Sequence, residues 1–294
     1  MKKLNIIGAG RAGRTLAALW RQHGVFDIAG VCNRTAQSAG VAIAFIGAGR
    51  ACDAIAQMPP ADVWMLATPD GAIVQVAASV AAGGALRTGD VVFHCSGALP
   101  SSDMRAALAA EVLVASVHPL KSFAQPADAM RSFAGTYCAA EGDAAALAVL
   151  KPAFEKIGAQ VTEINPQFKT LYHAASVMVC NYLVALMEAG LQSYEKAGLP
   201  RETASAMMEP LVRDTVDNVF RLGTVKALTG PIARGDHAVV ARQLHALQEF
   251  DPRLAEIYRA LGVTAVALSR AQGVAGEKAL AALEQTLLIP KTDA

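Results

Sequence analysis

Leu4-Asn5-Ile6-Ile7-Gly8-Ala9-Gly10-Arg11-Ala12-Gly13 runs a short apolar stretch directly into a G-x-G-x-x-G turn, and a helical pattern opens at Gly13. The pattern alone is weak; its place between a strand and a helix gives it meaning. Gly8 permits the tight turn, Gly10 lets the backbone approach a pyrophosphate, and Gly13 lets helix and strand pack closely. With Ala9, Arg11 and Ala12 between them, the free N–H groups and dipole at the helix start form an anion site. A near copy, Gly47-Ala48-Gly49-Arg50-Ala51-Cys52, lacks the third glycine, and no strand of adequate length leads into it. Gly47 is expected there as a helix C-cap.

Outward from this turn, short apolar runs alternate with Ala-rich helical stretches. The runs are Leu4–Ile7, Ile28–Cys32, Val63–Ala67, Val91–Cys95, Val112–Val117, Gly135–Ala139 and Val161–Ile164. Several are continuous rather than alternating, as strands buried on both faces of a parallel sheet read. Helices are predicted over Gly13–His23, Ala36–Ile46, Gly71–Ala82, Ser101–Ala110 and Asp143–Ile157. This is a doubly wound α/β, Rossmann-like domain. After Asn165-Pro166 the strand-like runs stop. Helices are predicted over Phe168–Ala197, Arg201–Leu222, His237–Phe250, Pro252–Ala271 and Glu277–Thr286. The expected plan is a nucleotide domain over 1–165 and an all-α C-terminal domain over 166–294.

Composition narrows the function classes. The 294 residues carry 26 Lys plus Arg against 25 Asp plus Glu. Residues 1–165 hold 13 basic and 12 acidic groups, the remainder 13 of each, so neither part has the basic excess that nucleic acid or an anionic membrane surface requires. Five scattered cysteines, Cys32, Cys52, Cys95, Cys138 and Cys180, form no C-x-x-C pair, which disfavours a disulfide framework or a cysteine metal site. A reducing, cytoplasmic setting is expected, with no metal. His173–Leu191 approaches membrane length but is interrupted by His173, Asn181 and Glu188. It is read as a helix buried nearly all round and as the contact of a homodimer through the helical domain.

At the end of the second strand an NAD-preferring fold carries Asp or Glu. Here the chain reads Asn33-Arg34-Thr35, an amide, a guanidinium and a hydroxyl suited to a 2′-phosphate. NADP is the expected cofactor. Ligands of open α/β sheets lie beyond the carboxyl ends of the strands. Thr68-Pro69 is therefore placed along the cofactor ribose, and Ser96-Gly97 near the nicotinamide. Ser96 is a candidate to hydrogen-bond a substrate carbonyl or hydroxyl. His118 is a candidate general acid or base. His94, inside a strand, is read as a buried neutral structural residue.

The motifs GAGRAG at Gly8–Gly13, ATPD at Ala67–Asp70, HCSGAL at His94–Leu99, HPLKSFA at His118–Ala124, YHAASVMVCNYLVAL at Tyr172–Leu186 and LTGPIARGD at Leu228–Asp236 span nearly the whole chain. In them the sequence resembles a bacterial family that joins a Rossmann-like NAD(P)-binding domain to a C-terminal helical domain of unknown function. More distantly it is similar to pyrroline-5-carboxylate reductases, prephenate dehydrogenases and β-hydroxyacid dehydrogenases of the wider 6-phosphogluconate dehydrogenase-like group. The resemblance implies an oxidoreductase, with Ser96 and His118 standing where prephenate dehydrogenases carry a serine and an HP histidine. The K-x-x-H-N of β-hydroxyacid enzymes reads Lys169-Thr170-Leu171-Tyr172-His173 here. The lysine is kept, Tyr172 replaces the histidine and His173 the asparagine.

These readings converge on an NADP(H)-dependent oxidoreductase that moves a hydride to or from a small polar metabolite, a hydroxy or keto acid or an imine. The expected catalytic residues are His118, Lys169, His173, Ser96 and Asn181. Lys169, His173, Ser176 and Cys180 fall on one helical stripe, with Asn181 on its shoulder. An NADP-binding sensor without catalysis and a reductase using a deazaflavin with NADP are the alternatives.

Overall fold

The computed structural model describes residues 1–288, and contacts divide the chain into two units that meet in sequence between Asn181 and Tyr182. That division falls beyond the composition change at Asn165-Pro166, because the first turns of the long helical segment pack with the sheet.

The first unit is built on eight strands, β1 (Lys2–Ile7), β2 (Phe26–Cys32), β3 (Arg50–Cys52), β4 (Val63–Leu66), β5 (Val91–His94), β6 (Leu113–Pro119), β7 (Tyr137–Gly142) and β8 (Gln160–Glu163). They form one sheet in the order β3-β2-β1-β4-β5-β6-β7-β8. The order reverses between β1 and β4, which is the switch point where such sheets bind ligands. Helices α1 (Arg11–Gln22), α2 (Ala36–Ile46), α3 (Ile73–Ala82), α4 (Pro126–Arg131), α5 (Ala144–Glu155) and α6 (Lys169–Val179) complete the unit. On one face of the sheet Trp20 meets Phe26, Phe93 and Phe154 edge to face, and its indole N–H donates to the Ala153 carbonyl at 3.0 Å. The opposite face packs Trp64, Leu66, Ile73 and Met104. These two apolar layers hold the strand ends in place.

Several expectations need correction. Arg50–Cys52 is itself a strand, pairing in parallel with β2, directly after Gly47 has capped α2 in the left-handed conformation. Three residues were too few to register as a run. The sheet is not wholly parallel, since β7 runs antiparallel to β6. Neighbouring antiparallel strands need no crossover helix over the sheet, so the short α4 suffices as part of their connection. Strand β7 also begins at Tyr137 rather than Gly135, and the predicted helix Ser101–Ala110 is a tighter 3-10 turn over Ser101–Ala107.

The second unit is helical: α7 (Asn181–Lys196), α8 (Arg201–Leu222), α9 (Thr224–Ala227), α10 (Gly230–Arg234), α11 (His237–Phe250), α12 (Pro252–Gln272) and α13 (Glu277–Leu288). Its turn chemistry is local. Asp236 caps α11 by accepting the Val239 N–H, Asp251 caps α12 through the Arg253 N–H, and Gly235 and Gly273 close α10 and α12 in the left-handed conformation. Its core is Val240, Val266, Leu280, Leu283 and Leu287.

The segment expected as one helix over Phe168–Ala197 breaks at Cys180, whose ψ of −66° with φ of −114° ends α6. The all-round burial expected of it is not found. Leu171, Met178, Val179, Tyr182 and Val184 are each 62–75% exposed. Pro166–Lys196 has the length and the mean hydropathy, 1.6, of a membrane span by composition alone. Its apolar surplus is turned outward.

Candidate functional site

At the end of β1 the glycines divide their work. Gly8 has φ of +84°, and a Cβ there would lie 2.8 Å from Thr68 Cγ2; on Gly13 it would lie 2.9 Å from Ala67 Cβ. Both are demanded by packing against the end of β4. A Cβ on Gly10 would meet nothing closer than 3.9 Å, so that position faces open space. Helix α1 starts beside it with no side-chain cap and no acidic residue in its first turn, which leaves its positive end free for an anion.

The end of β2 is tied to this loop twice: the Gly8 N–H donates to the Cys32 carbonyl at 2.9 Å and the Ala9 N–H donates to Asn33 Oδ1 at 2.7 Å. Thr35 caps α2 by accepting the Ser38 N–H at 3.2 Å. Asn33 and Thr35 thus hold the loop in shape, and the exposed Arg34 is left between them. The Thr68 hydroxyl is buried without a partner. An open cradle at Gly10, an uncapped helix start and an orphaned hydroxyl fit a dinucleotide phosphate.

Along β5, β6 and β7 the sheet carries a buried polar row, because His94, Ser116 and Glu141 are register partners. Glu141 accepts the Ser101 N–H at 2.8 Å, the Ser101 hydroxyl at 2.7 Å and the Lys169 ammonium at 2.8 Å. Lys169 and Glu141 have side-chain exposures of 0% and 2%. Burial pushes the lysine pKa down, and the carboxylate beside it opposes that shift. Burial first, and Lys169 second, push His94 down to about 3, so its ring is neutral. Its Nδ1 accepts the Ser96 N–H at 3.2 Å. Ser96 is buried as well, and its Oγ accepts the N–H groups of Ala98 and Leu99, both at 3.1 Å. That serine builds the turn that carries Gly97.

Gly97 faces two imidazoles. A Cβ on it would stand 2.9 Å from His118 Nε2 and 2.5 Å from His173 Nδ1. The two rings meet edge to face with centroids 5.7 Å apart, and His173 Nδ1 is buried without a partner. On its far side His118 Nδ1 bonds the Tyr172 hydroxyl at 3.0 Å. Burial first, then His173 and Lys169, push His118 down to about 4. Burial pushes the Tyr172 hydroxyl up to about 12. Both groups are neutral near pH 7.

The structure therefore brings Ser96, Gly97, His118, Lys169 and His173 to one end of the sheet. Two expectations change. The Lys169 ammonium is enclosed against Glu141 and is not free to polarise a substrate or hold its carboxylate. Asn181 is exposed and lies past the break at Cys180, so it leaves the stripe that carries His173. Sequence reasoning missed Glu141, Ser101 and Tyr172. The available signal was the lone acid in Tyr137-Cys138-Ala139-Ala140-Glu141-Gly142, since a carboxylate in a buried strand needs a partner.

Residues 2–119 match the profile of a Rossmann-like domain, and residues 136–265 match that of a domain of unknown function, DUF2520. The chain joins a Rossmann-like domain to a DUF2520 domain. The DUF2520 match begins inside the sheet, ahead of β7, so it takes in Glu141, Lys169, Tyr172 and His173 while His118 lies in the Rossmann-like match.

Solved structures share the fold. A Thermotoga maritima protein has 24% identity and a TM-score of 0.72, over 92% of this chain and 99% of its own. A Bacteroides fragilis protein, whose name carries a proposed NADP oxidoreductase activity, has 22% identity and a TM-score of 0.69, over 92% and 97%. A pyrroline carboxylate reductase of Plasmodium falciparum, with NADP bound, has 12% identity and a TM-score of 0.57, over 97% and 98%. Among curated protein sequences none matches the chain. The fold is one shared with NAD(P)-dependent oxidoreductases.

Proposed function

We propose that the chain is an NADP(H)-dependent oxidoreductase acting on a small polar metabolite. One observation carries this reading: the open glycine turn after β1 and the imidazole pair around Gly97, after β5 and at the end of β6, sit at the carboxyl edge of one sheet. Gly8–Gly13 and Thr68 would hold the pyrophosphate and adjoining ribose, and Arg34 the 2′-phosphate. The bound nicotinamide would supply or accept a hydride. The reacting group of the substrate would lie at His118 and His173. Incubating the chain with NADPH and a metabolite pool, and following loss of the reduced-nicotinamide absorbance, tests the reading. Turnover with at least one fraction is expected. Tight NADPH binding with no turnover across the pool would favour a sensor instead.

We also propose that the chain works as a homodimer through the outward apolar residues of α6 and α7. Leu171, Met178 and Val179 on α6, and separately Tyr182, Leu183, Val184 and Leu186 on α7, are exposed apolar side chains of the kind a second copy would cover. A second copy suits this segment better than lipid, because α6 also buries the Lys169 ammonium in a carboxylate and carries Tyr172 and His173. Light scattering at low micromolar concentration should give twice the chain mass. A monomer that floats with lipid vesicles would overturn the assignment.

A further inference from the structure

We infer that Tyr172 is a positioning residue that fixes His118 as a neutral hydrogen-bond donor at Nε2, and that the group this site accepts is a carbonyl or hydroxyl oxygen rather than an iminium. The substrate half of this inference rests on the oxidoreductase reading above. The tautomer half does not.

A hydrogen bond between Tyr172 and His118 Nδ1 can run either way, and the chemistry of the two groups decides it. A phenol O–H is a good donor, and its oxygen, conjugated with the ring, is a poor acceptor. The unprotonated nitrogen of a neutral imidazole is a good acceptor. Burial holds the Tyr172 proton on oxygen and holds His118 neutral. The hydroxyl therefore donates to Nδ1 at 3.0 Å, and the one ring proton of His118 stands on Nε2.

That N–H faces the space beside Gly97, which His173 Nδ1, without a partner of its own, also borders. Gly97 keeps this space clear. Its backbone lies outside the left-handed region, so alanine is conformationally allowed there and is excluded only by the two rings. An oxygen placed in the gap would accept from His118 Nε2–H, and a hydroxyl could also donate to His173 Nδ1. An iminium N–H could donate to His173 Nδ1 alone, has no lone pair to offer, and would leave the His118 Nε2–H without an acceptor. A neutral imidazole N–H used to polarise a carbonyl is a known catalytic device. Here a phenol would set it. Lys169 cannot take the role, because its ammonium is enclosed against Glu141.

The test is a long-range 15N–1H correlation spectrum of the labelled full-length chain, with the His118 signals assigned by their loss in His118→Gln. A pyridine-type Nδ1 and a pyrrole-type Nε2 are expected near neutral pH. Tyr172→Phe should shift His118 toward the other tautomer, with NADPH affinity unchanged and a modest fall in melting temperature from the ring nitrogen left without its phenol. A wild-type His118 protonated on Nδ1, or a tautomer indifferent to Tyr172→Phe, would overturn the inference. Neither result depends on turnover, so failure here is separable from failure of the oxidoreductase reading. In the metabolite assay, Tyr172→Phe should lower kcat roughly 10- to 100-fold, with NADPH affinity held. Iminium substrates reduced as fast as ketones would overturn the assignment of substrate class.

Discussion

Around Gly8–Gly13 the site is made of backbone, whereas around Gly97 it is made of side chains gathered from distant parts of the chain. In the first region two glycines exist for packing and one for open space, and the chemistry offered is that of free N–H groups at a helix start. In the second, a buried polar row on β5, β6 and β7 is closed by a lysine from α6, and beside it stand two rings and a phenol. The first arrangement tolerates any side chain that stays clear of it. The second depends on each member, because a buried charge or ring nitrogen left alone is costly.

The largest expected effect follows from that dependence. Lys169→Met leaves the Glu141 carboxylate buried without its countercharge, and loss of one partner of such a pair costs about 3–5 kcal/mol of stability. Pairing it with Glu141→Gln, which removes the charge and keeps an acceptor for the Ser101 N–H and hydroxyl, should restore much of that loss. Denaturant unfolding of the two variants measures both. A single variant as stable as wild type would break the contrast between the two regions, since it would make the polar row ordinary surface chemistry.

The next effect is acid sensitivity. His94 and His118 fall from 6.5 in the unfolded chain to about 3 and about 4 when folded. Below pH 6.5 the unfolded chain binds more protons than the folded one, so stability is full above that value and falls with pH toward the folded values. By pH 5 the loss is on the order of 2 kcal/mol from each ring. Melting curves between pH 7 and pH 5 should show it, with a smaller drop in His118→Gln. The glycine-turn region contributes no such slope through buried histidine.

How legible each region was in the sequence follows the same division. The glycine turn, the run of apolar strands, and helices such as Ala36–Ile46, Arg201–Leu222 and His237–Phe250 are written in residues adjacent in sequence. Periodicity and caps sufficed to place them. Asn33 was found near the loop it ties, although its bond to Ala9 was not foreseen. Glu141 and Lys169 lie on β7 and α6, and Tyr172 reaches back to β6, so their meeting is a product of strand order and of the antiparallel turn of β7. No local pattern encodes it. The break at Cys180 has no Gly or Pro to mark it, and the weak helix propensity of Val179, Cys180, Asn181 and Tyr182 does not by itself end a helix, so only backbone geometry separates Lys169 and His173 from Asn181. The exposure of α6 and α7 is not legible in the sequence, because an apolar helix signals burial without saying against what.

The smallest of these effects sharpens the backbone side of the comparison. Arg34→Ala removes one charge-assisted contact to a 2′-phosphate and leaves the glycine turn intact. NADPH affinity should fall roughly 10- to 150-fold while NADH affinity stays nearly constant. Equal weakening of both nucleotides would move Arg34 from phosphate recognition to the structure of the loop.

The central claim is that the turn at Gly8–Gly13 and the loop at Asn33–Thr35 hold NADP(H). Fluorescence titration of NADPH and of NADH into the wild-type chain measures it most directly. Both nucleotides are expected to bind, with the Kd for NADPH at least about tenfold lower. Absence of NADPH binding, or tighter binding of NADH, would contradict the account.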